Sequence, residues 1–502
     1  MKNKFTNYAT KALGAVAFAA LLYACNDDQI TTDAAKPSKV PSVATPVGPA
    51  VGATECTVTN ITANTTWTPA GNPYILYGDV RVNNNATLTI QAGVVVRGDK
   101  ASRGTLTIER GSRILANGTS TNPIVFTSNQ PVNQRASKDW GGLNIMGRAT
   151  NNQGANVNAE GYPACVTAPQ YGGTTDNDNS GVLRYVRIEY GGIPQTSVAN
   201  SEKNGLTLYS VGSGTAIDHI QVSFGGDDAF EWFGGAVNAK YLISYSNQDD
   251  DFDSDQGYKG HVQYGIAIRN PAIADNSQSN GFESDTDADG INATRTTARF
   301  SNFTLIGPYD PACTRTVVNT PGTAQFQDGL HLRRNTGIDV YNSIITGWPR
   351  NQAFADASVV ASPAGVQLTH NTAVKPFNVA ASLCFTEPAA PNNVWTLSAT
   401  NLCNNATVCT SSAITVGGMI RQSGLTSSAW TLANPSVTPA SGSIVLTNGT
   451  NANALSTTFT ANSTTATATT YFRGARRLAD DNGWDFSGTW VNYDPQTAPY
   501  PN

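Results

Sequence analysis

DAFEWFGG at residues 228–235 and DDFDSDQG at residues 250–257 decide the fold, because they are one phrase written twice, with Phe230 and Phe252 22 residues apart. NGLTL at 204–208 fits the same frame 24 residues before Phe230. GFESD at 281–285 follows 30 residues after Phe252, and DGLHL at 328–332 follows 48 residues after Phe282. Leu206, Phe230, Phe252, Phe282 and Leu330 therefore fall in one phase. Stacked as parallel strands about 4.8 Å apart, they make an inward apolar ladder. Side chains alternate across a strand, so if the phenylalanines point in, Glu231, Asp253 and Glu283 form an outward column.

Upstream, GTLTIERGSRILANGTSTNPIVFTSNQ (residues 104–130) holds three short β-runs separated by turns at Arg110-Gly111-Ser112 and Asn122-Pro123. Three strands in about two dozen residues make one coil of a parallel β-helix, in which each coil packs only on its neighbours. Helical periodicity and regular hairpin spacing both fit less well. The expected fold is all-β: a right-handed parallel β-helix over 56–350, with an N-terminal cap around Trp67, Tyr74 and Tyr77. A less regular, disulfide-pinned elaboration over 351–470 follows, with a short helix around Val416–Leu432. An aromatic cap over 471–502 is expected to seal the C-terminal end.

The first residues carry Lys2, Lys4 and Lys11, then an apolar run from Ala12 to Leu22 that ends at Tyr23-Ala24-Cys25. This has the form of a lipoprotein signal over 1–24, leaving Cys25 as the lipidated N-terminus. Residues 25–55 are rich in Pro, Ala, Thr and Val and read as a flexible tether. The expected location is the outer membrane, lipid-anchored and facing outward. The net charge is −5 with 13% charged residues and no basic tract, so nucleic acid is not an expected partner. Besides Cys25 there are Cys56, Cys165, Cys313, Cys384, Cys403 and Cys409, enough for three disulfides whose partners spacing does not fix. Cys403 and Cys409 are the candidate local pair.

The phrases NPIVFTS (122–128), WGGL (140–143), LRYVRIEYGG (183–192) and the closing GW…WVNYDPQ (483–496) together resemble a family of Bacteroidetes surface lipoproteins with pectate-lyase-like β-helix bodies. The resemblance implies the fold. It says little about activity, because one fold hosts many functions.

The chemistry concentrates in DDDFDSD (249–255) and ESDTDADG (283–290). Stacking brings Asp253 near Glu283 and Asp255 near Asp285, and unpaired carboxylates that close repel. Calcium is the expected counter-ion, with Asp253, Asp255, Glu283, Asp285, Asp287 and Asp289 as candidate ligands. DTDADG also matches the first half of a calcium loop, but Thr296 stands where a bidentate Glu would be required. The competing reading is a solvated acidic turn face. The leading functional expectation is a non-catalytic surface protein that binds a glycan or a protein partner. Tyr245, Tyr258 and Tyr264 are the candidate stacking residues, whereas the parity of Trp232 hides it. Lyases and hydrolases on this fold use calcium-bound or paired carboxylates. For that alternative the candidates are Asp227, Asp228, Asp253 and Glu283, with His331 and Arg333 on a later coil. A third reading is a structural or adhesive rod. Arg187 and Glu189 are expected as an outward salt-linked pair.

Overall fold

The computed structural model describes residues 44–194, 203–310, 314–320, 322–350, 352–360, 366–369, 371–374, 402–403, 425–447, 449–460, 471–476 and 484–501. The signal, Cys25 and the first part of the tether lie outside these residues, as do Cys313, Cys384 and Cys409. Among the described residues no helix is long and apolar enough to cross a membrane.

Almost every strand pairs in parallel with the strand one coil away. A ten-stranded sheet carries one face of the coil, and a folded seventeen-stranded sheet supplies the other two. The ladder read from the sequence is present residue for residue: Leu206 pairs with Phe230, Phe230 with Phe252, Phe252 with Phe282 and Phe282 with Leu330. All five are fully buried, and the Phe230 and Phe252 rings stack at 5.4 Å.

The fold of the large sheet follows from its corner residues. Tyr185, His219, Tyr241, Tyr264, Asn302 and Asn342 all take positive φ, between 48° and 66°. Each bends one long run, such as Gly181–Glu189 or Ala216–Ser223, into two arms. Left-handed backbone is strained for bulky residues and tolerable for Asn. The aromatic corners are offset by stacking, at 4.4 Å for Tyr185 on His219, 4.4 Å for His219 on Tyr241 and 5.2 Å for Tyr241 on Tyr264.

Gly265 lies between Leu242 and Phe303 in the paired strands. A Cβ there would sit 1.9 Å from the Phe303 ring. Gly265→Ala is accordingly expected to cost about 1–3 kcal/mol through overpacking, measurable as a lower denaturant midpoint with an unchanged slope.

Several boundaries move. Thr45–Val47, placed in the tether by composition, is a strand paired with Tyr74–Leu76. Trp67 and Tyr74 lie in strands of the first coils and stack at 4.8 Å inside the main core. Coiling also continues past residue 350, through Phe354–Ala355, Gln367–Thr369 and Thr372–Val374. The described part of the expected helix is a single 3-10 turn, Ser427–Trp430.

The largest correction concerns the C-terminal aromatics. Trp484, Phe486 and Trp490 do not cap an end; they lie along the outer face of one arm of the large sheet. With Phe472 and Trp430 they bury Ile243, Tyr245, Ile266, Ile268, Ile306 and Ile344 in a second core outside the coil. The strap runs back over the coils. Gly474 bonds Asn342, Asn492 bonds Gln221, and Arg135 donates to the carbonyls of Pro495 and Ala498. Arg187 and Glu189 do pair, at 3.3 Å, but under this strap: Tyr500 donates to Glu189 at 2.6 Å, and both are buried.

One disulfide is described, Cys56–Cys165. It ties the residues before strand Val58–Ile61 to an insertion between strands Leu143–Met146 and Gly181–Glu189, far from the C-terminal region where pinning was expected.

Candidate functional site

The ten-stranded sheet presents one outward column across successive coils: Thr107, Asn144, Thr207, Glu231, Asp253, Glu283 and His331. A second column stands at the turn, two residues before each rung of the apolar ladder: Asn204, Asp228, Asp250, Asn280 and Asp328. This turn column is a hydrogen-bond ladder. The side chain of Asn204 accepts from the Asp228 N–H at 3.2 Å, Asp228 from Asp250 at 2.8 Å, Asp250 from Asn280, and Asn280 from Asp328 at 3.0 Å. One oxygen of Asp228 and one of Asp250 therefore hold the coils together; the second oxygen of Asp250 is also within 3.5 Å of the Asn280 side-chain amide.

The two columns meet in the groups Asp228/Glu231/Asp253 and Asp250/Asp253/Glu283, and Asp228 also joins Asp227 and Asp249, each one residue before the turn column; every group has one oxygen per residue within 4.8 Å of the others. Asp228, Glu231 and Asp250 are buried at 7%, 8% and 4% exposure, and Asp227, Asp249, Asp253 and Glu283 are half-buried. Asp253 belongs to two of the groups, and its Oδ1 is closed off from solvent with no hydrogen-bond partner among the described residues.

Protein cations stand at the two ends of the row, and the buried Arg269 borders its middle, donating to the Asp249 carbonyl at 2.5 Å and to Asp251 at 3.1 Å. Arg333 pairs with Glu283 and reaches Asp285 at 3.0 Å; Arg334 reaches Asp285 at 2.7 Å. His331 bonds Asp328 at 2.9 Å, and Arg350 lies 3.6 Å from the same carboxylate. At the opposite end the buried Lys203 donates to the Glu160 carbonyl, with its Nζ 3.7 Å over the Tyr162 ring. Burial drives the Lys203 ammonium down to about 7, against the pull of Glu160, Asp79 and Glu231.

Between these ends burial, with neighbouring carboxylates added, holds the acids protonated far above their usual range. Asp228, Glu231, Asp250 and Asp253 are all pushed well up. Burial and then Asp250 raise Asp249 to about 8. Burial also lifts Glu283 to about 8 against the opposing pull of Arg333, and Asp255 to about 7. A carboxyl raised in the folded state binds its proton more tightly there. Its stabilising effect is complete below the ordinary carboxylate range and is lost as pH climbs through 7 to 8. The cation-free protein is expected to melt on the order of 5 °C lower at pH 8 than at pH 5. Calorimetry reads the difference.

The candidate ligands read from the sequence are brought together only in part. Asp253 and Glu283 are in the grouped carboxylates. Asp255 is not, and its Oδ1 accepts from the N–H of Gln256 at 2.5 Å. Asp285 is spoken for by Arg333 and Arg334. Asp287 accepts from the Gly290 N–H at 2.7 Å and Asp289 from Ile291 at 3.1 Å, so DTDADG closes its own turn and does not converge on Asp253. Of the catalytic candidates, Asp227, Asp228, Asp253 and Glu283 fall in the groups, while His331 and Arg333 are held by Asp328, Glu283 and Asp285. The tyrosines do not offer ring faces to solvent. Tyr258 is fully buried on Trp232 at 5.3 Å, Tyr245 lies edge-on to Tyr493 at 5.0 Å and bonds the Leu432 carbonyl, and Tyr264 stacks on Tyr241. Trp232 is internal, as its parity required. Asp250, which falls in one of the carboxylate groups, was not singled out from the sequence, although it stands two residues before Phe252 just as Asp228 stands before Phe230.

Parallel coils with a carboxylate-lined outer face define a pectate-lyase-like β-helix protein. The chain belongs to the pectate-lyase-like beta helix domain family, whose model matches residues 59–433. No curated protein and no solved structure matches the chain. The fold is compatible with a carbohydrate-related role.

Proposed function

We propose that this is a surface lipoprotein, anchored through Cys25, that binds acidic glycans through a divalent cation, calcium by preference, held at Asp228, Glu231 and Asp253. The observation that carries the reading is Asp253: it is shared by two carboxylate groups, and its Oδ1 is buried without a partner among the described residues. An all-oxygen set with loose geometry suits calcium, which accepts six to eight oxygens and so keeps positions open for a sugar carboxylate. The test is calorimetric titration with calcium, followed by oligogalacturonide in the presence of calcium or of chelator. Calcium binding and chelator-sensitive glycan binding support the reading; glycan binding indifferent to chelator contradicts it.

A second reading, glycan cleavage, is favoured by the close carboxyl pairs Asp250/Asp253 and Asp253/Glu283, since paired carboxyls serve as acid and as nucleophile or base in glycoside hydrolysis. New reducing ends, or unsaturated uronate absorbance, would identify an enzyme. A binder yields neither.

A further inference from the structure

Asn144 lies in the same outward column as the acidic row, one coil before Thr207 and two before Glu231. It is fully buried, yet neither its amide nitrogen nor its amide oxygen has a partner among the described residues. Burying an unbonded carboxamide is unfavourable. The column neighbours on either side are Thr107 and Thr207, so a smaller residue would fit the run of the column without that cost.

The insertion held by Cys56–Cys165 roofs this part of the column. Its Tyr162 hydroxyl lies 3.0 Å from Thr107, and its Tyr171 ring packs at 4.9 Å on Tyr209. The tip between Val157–Asn158 and Gln170–Tyr171 hangs on a pair of two-residue strands, a ribbon too short to be rigid by itself.

We infer that the binding row continues beneath the insertion to Asn144, whose carboxamide exchanges hydrogen bonds with a hydroxyl of a bound oligosaccharide. This rests on the glycan reading of the acidic row and adds a site at its far end. From Asp253 to Asn144 is three coil steps, about 14 Å, the reach of a short oligosaccharide and beyond that of a single sugar. The tip of the insertion acts as a lid, latched to the first coil by the disulfide, that lifts for longer ligands. Asn144 thereby sets a preference for chain length, while the cation at Asp253 supplies the affinity common to all lengths.

The test compares the full chain with Asn144→Ala in saturating calcium, titrated with galacturonate from monomer to pentamer. Wild-type affinity should rise with length through the trimer. The variant should lose about tenfold, the worth of one hydrogen bond, for the trimer and longer, and nothing for the monomer or dimer. Its melting temperature should hold or rise, because the unbonded buried amide is gone. Asn144→Thr, the residue found on both neighbouring coils, serves as a second variant if alanine fails to fold. Wild-type affinities at every length in a variant that still needs calcium overturn the Asn144 site and leave the acidic row intact. A lower melting temperature with unchanged affinities also overturns it, by giving the amide a purely structural partner. Absence of binding by either protein at any length overturns the glycan reading and this site with it.

Discussion

Trp490→Ala should unfold the protein more readily by about 3–5 kcal/mol, the largest effect expected of any single substitution outside the coil. Trp490 is 1% exposed. Its ring meets Tyr185 at 5.9 Å and His219 at 5.5 Å, both edge-on, and its indole N–H donates to the Asp485 carbonyl. These contacts cover the corner stack of left-handed aromatics, and the neighbouring strap covers the isoleucine face of the large sheet. Removing the indole leaves a cavity between two elements that no covalent link holds together nearby. The loss should therefore appear both in the denaturant midpoint and as dye binding to newly exposed apolar surface. A midpoint within the error of wild type would mean that the strap adds little to the stability of the coil.

Asp253→Asn should have opposite effects on the cation-free and cation-bound protein. The substitution removes one of several crowded carboxyls while keeping its shape, so without cation the variant should be more stable at pH 8 by on the order of 1 kcal/mol. Two carboxylate groups lose their shared member at once, so calcium affinity should fall by about a hundredfold or more. Calorimetric titration and thermal melts with and without calcium separate the two effects. Asp228→Asn is the informative companion: an amide oxygen can still accept from the Asp250 N–H, so the coil ladder survives while one ligand charge is lost.

How much of this was legible depends on whether the signal was local in register. Leu206, Phe230, Phe252, Phe282 and Leu330 could be aligned because a parallel coil repeats the same phase, and every pairing then follows. The turn ladder of Asn204, Asp228, Asp250, Asn280 and Asp328 carries that same phase and was equally available. DTDADG reads two ways because Asp serves tight turns and calcium loops with the same side-chain oxygen. Only the hydrogen bonds of Asp287 and Asp289 to their own turn separate the two. The strap was illegible for another reason. Contacts such as Tyr500 with Glu189 join residues 311 positions apart, and aromatic composition alone does not distinguish sealing an end from lying along a side. Tyr245 was misplaced for the same reason, since it is hidden by a segment nearly 200 residues downstream, whereas Tyr258 is hidden inside the coil by Trp232.

The most direct test of the cation-held acidic row is an anomalous difference map from crystals of the full chain grown with manganese as a stand-in for calcium. A peak within coordination distance of Asp253 and of Asp228 or Glu231 is the expected result. A map with no density between those carboxylates, at a manganese concentration that saturates the protein in solution, would contradict it.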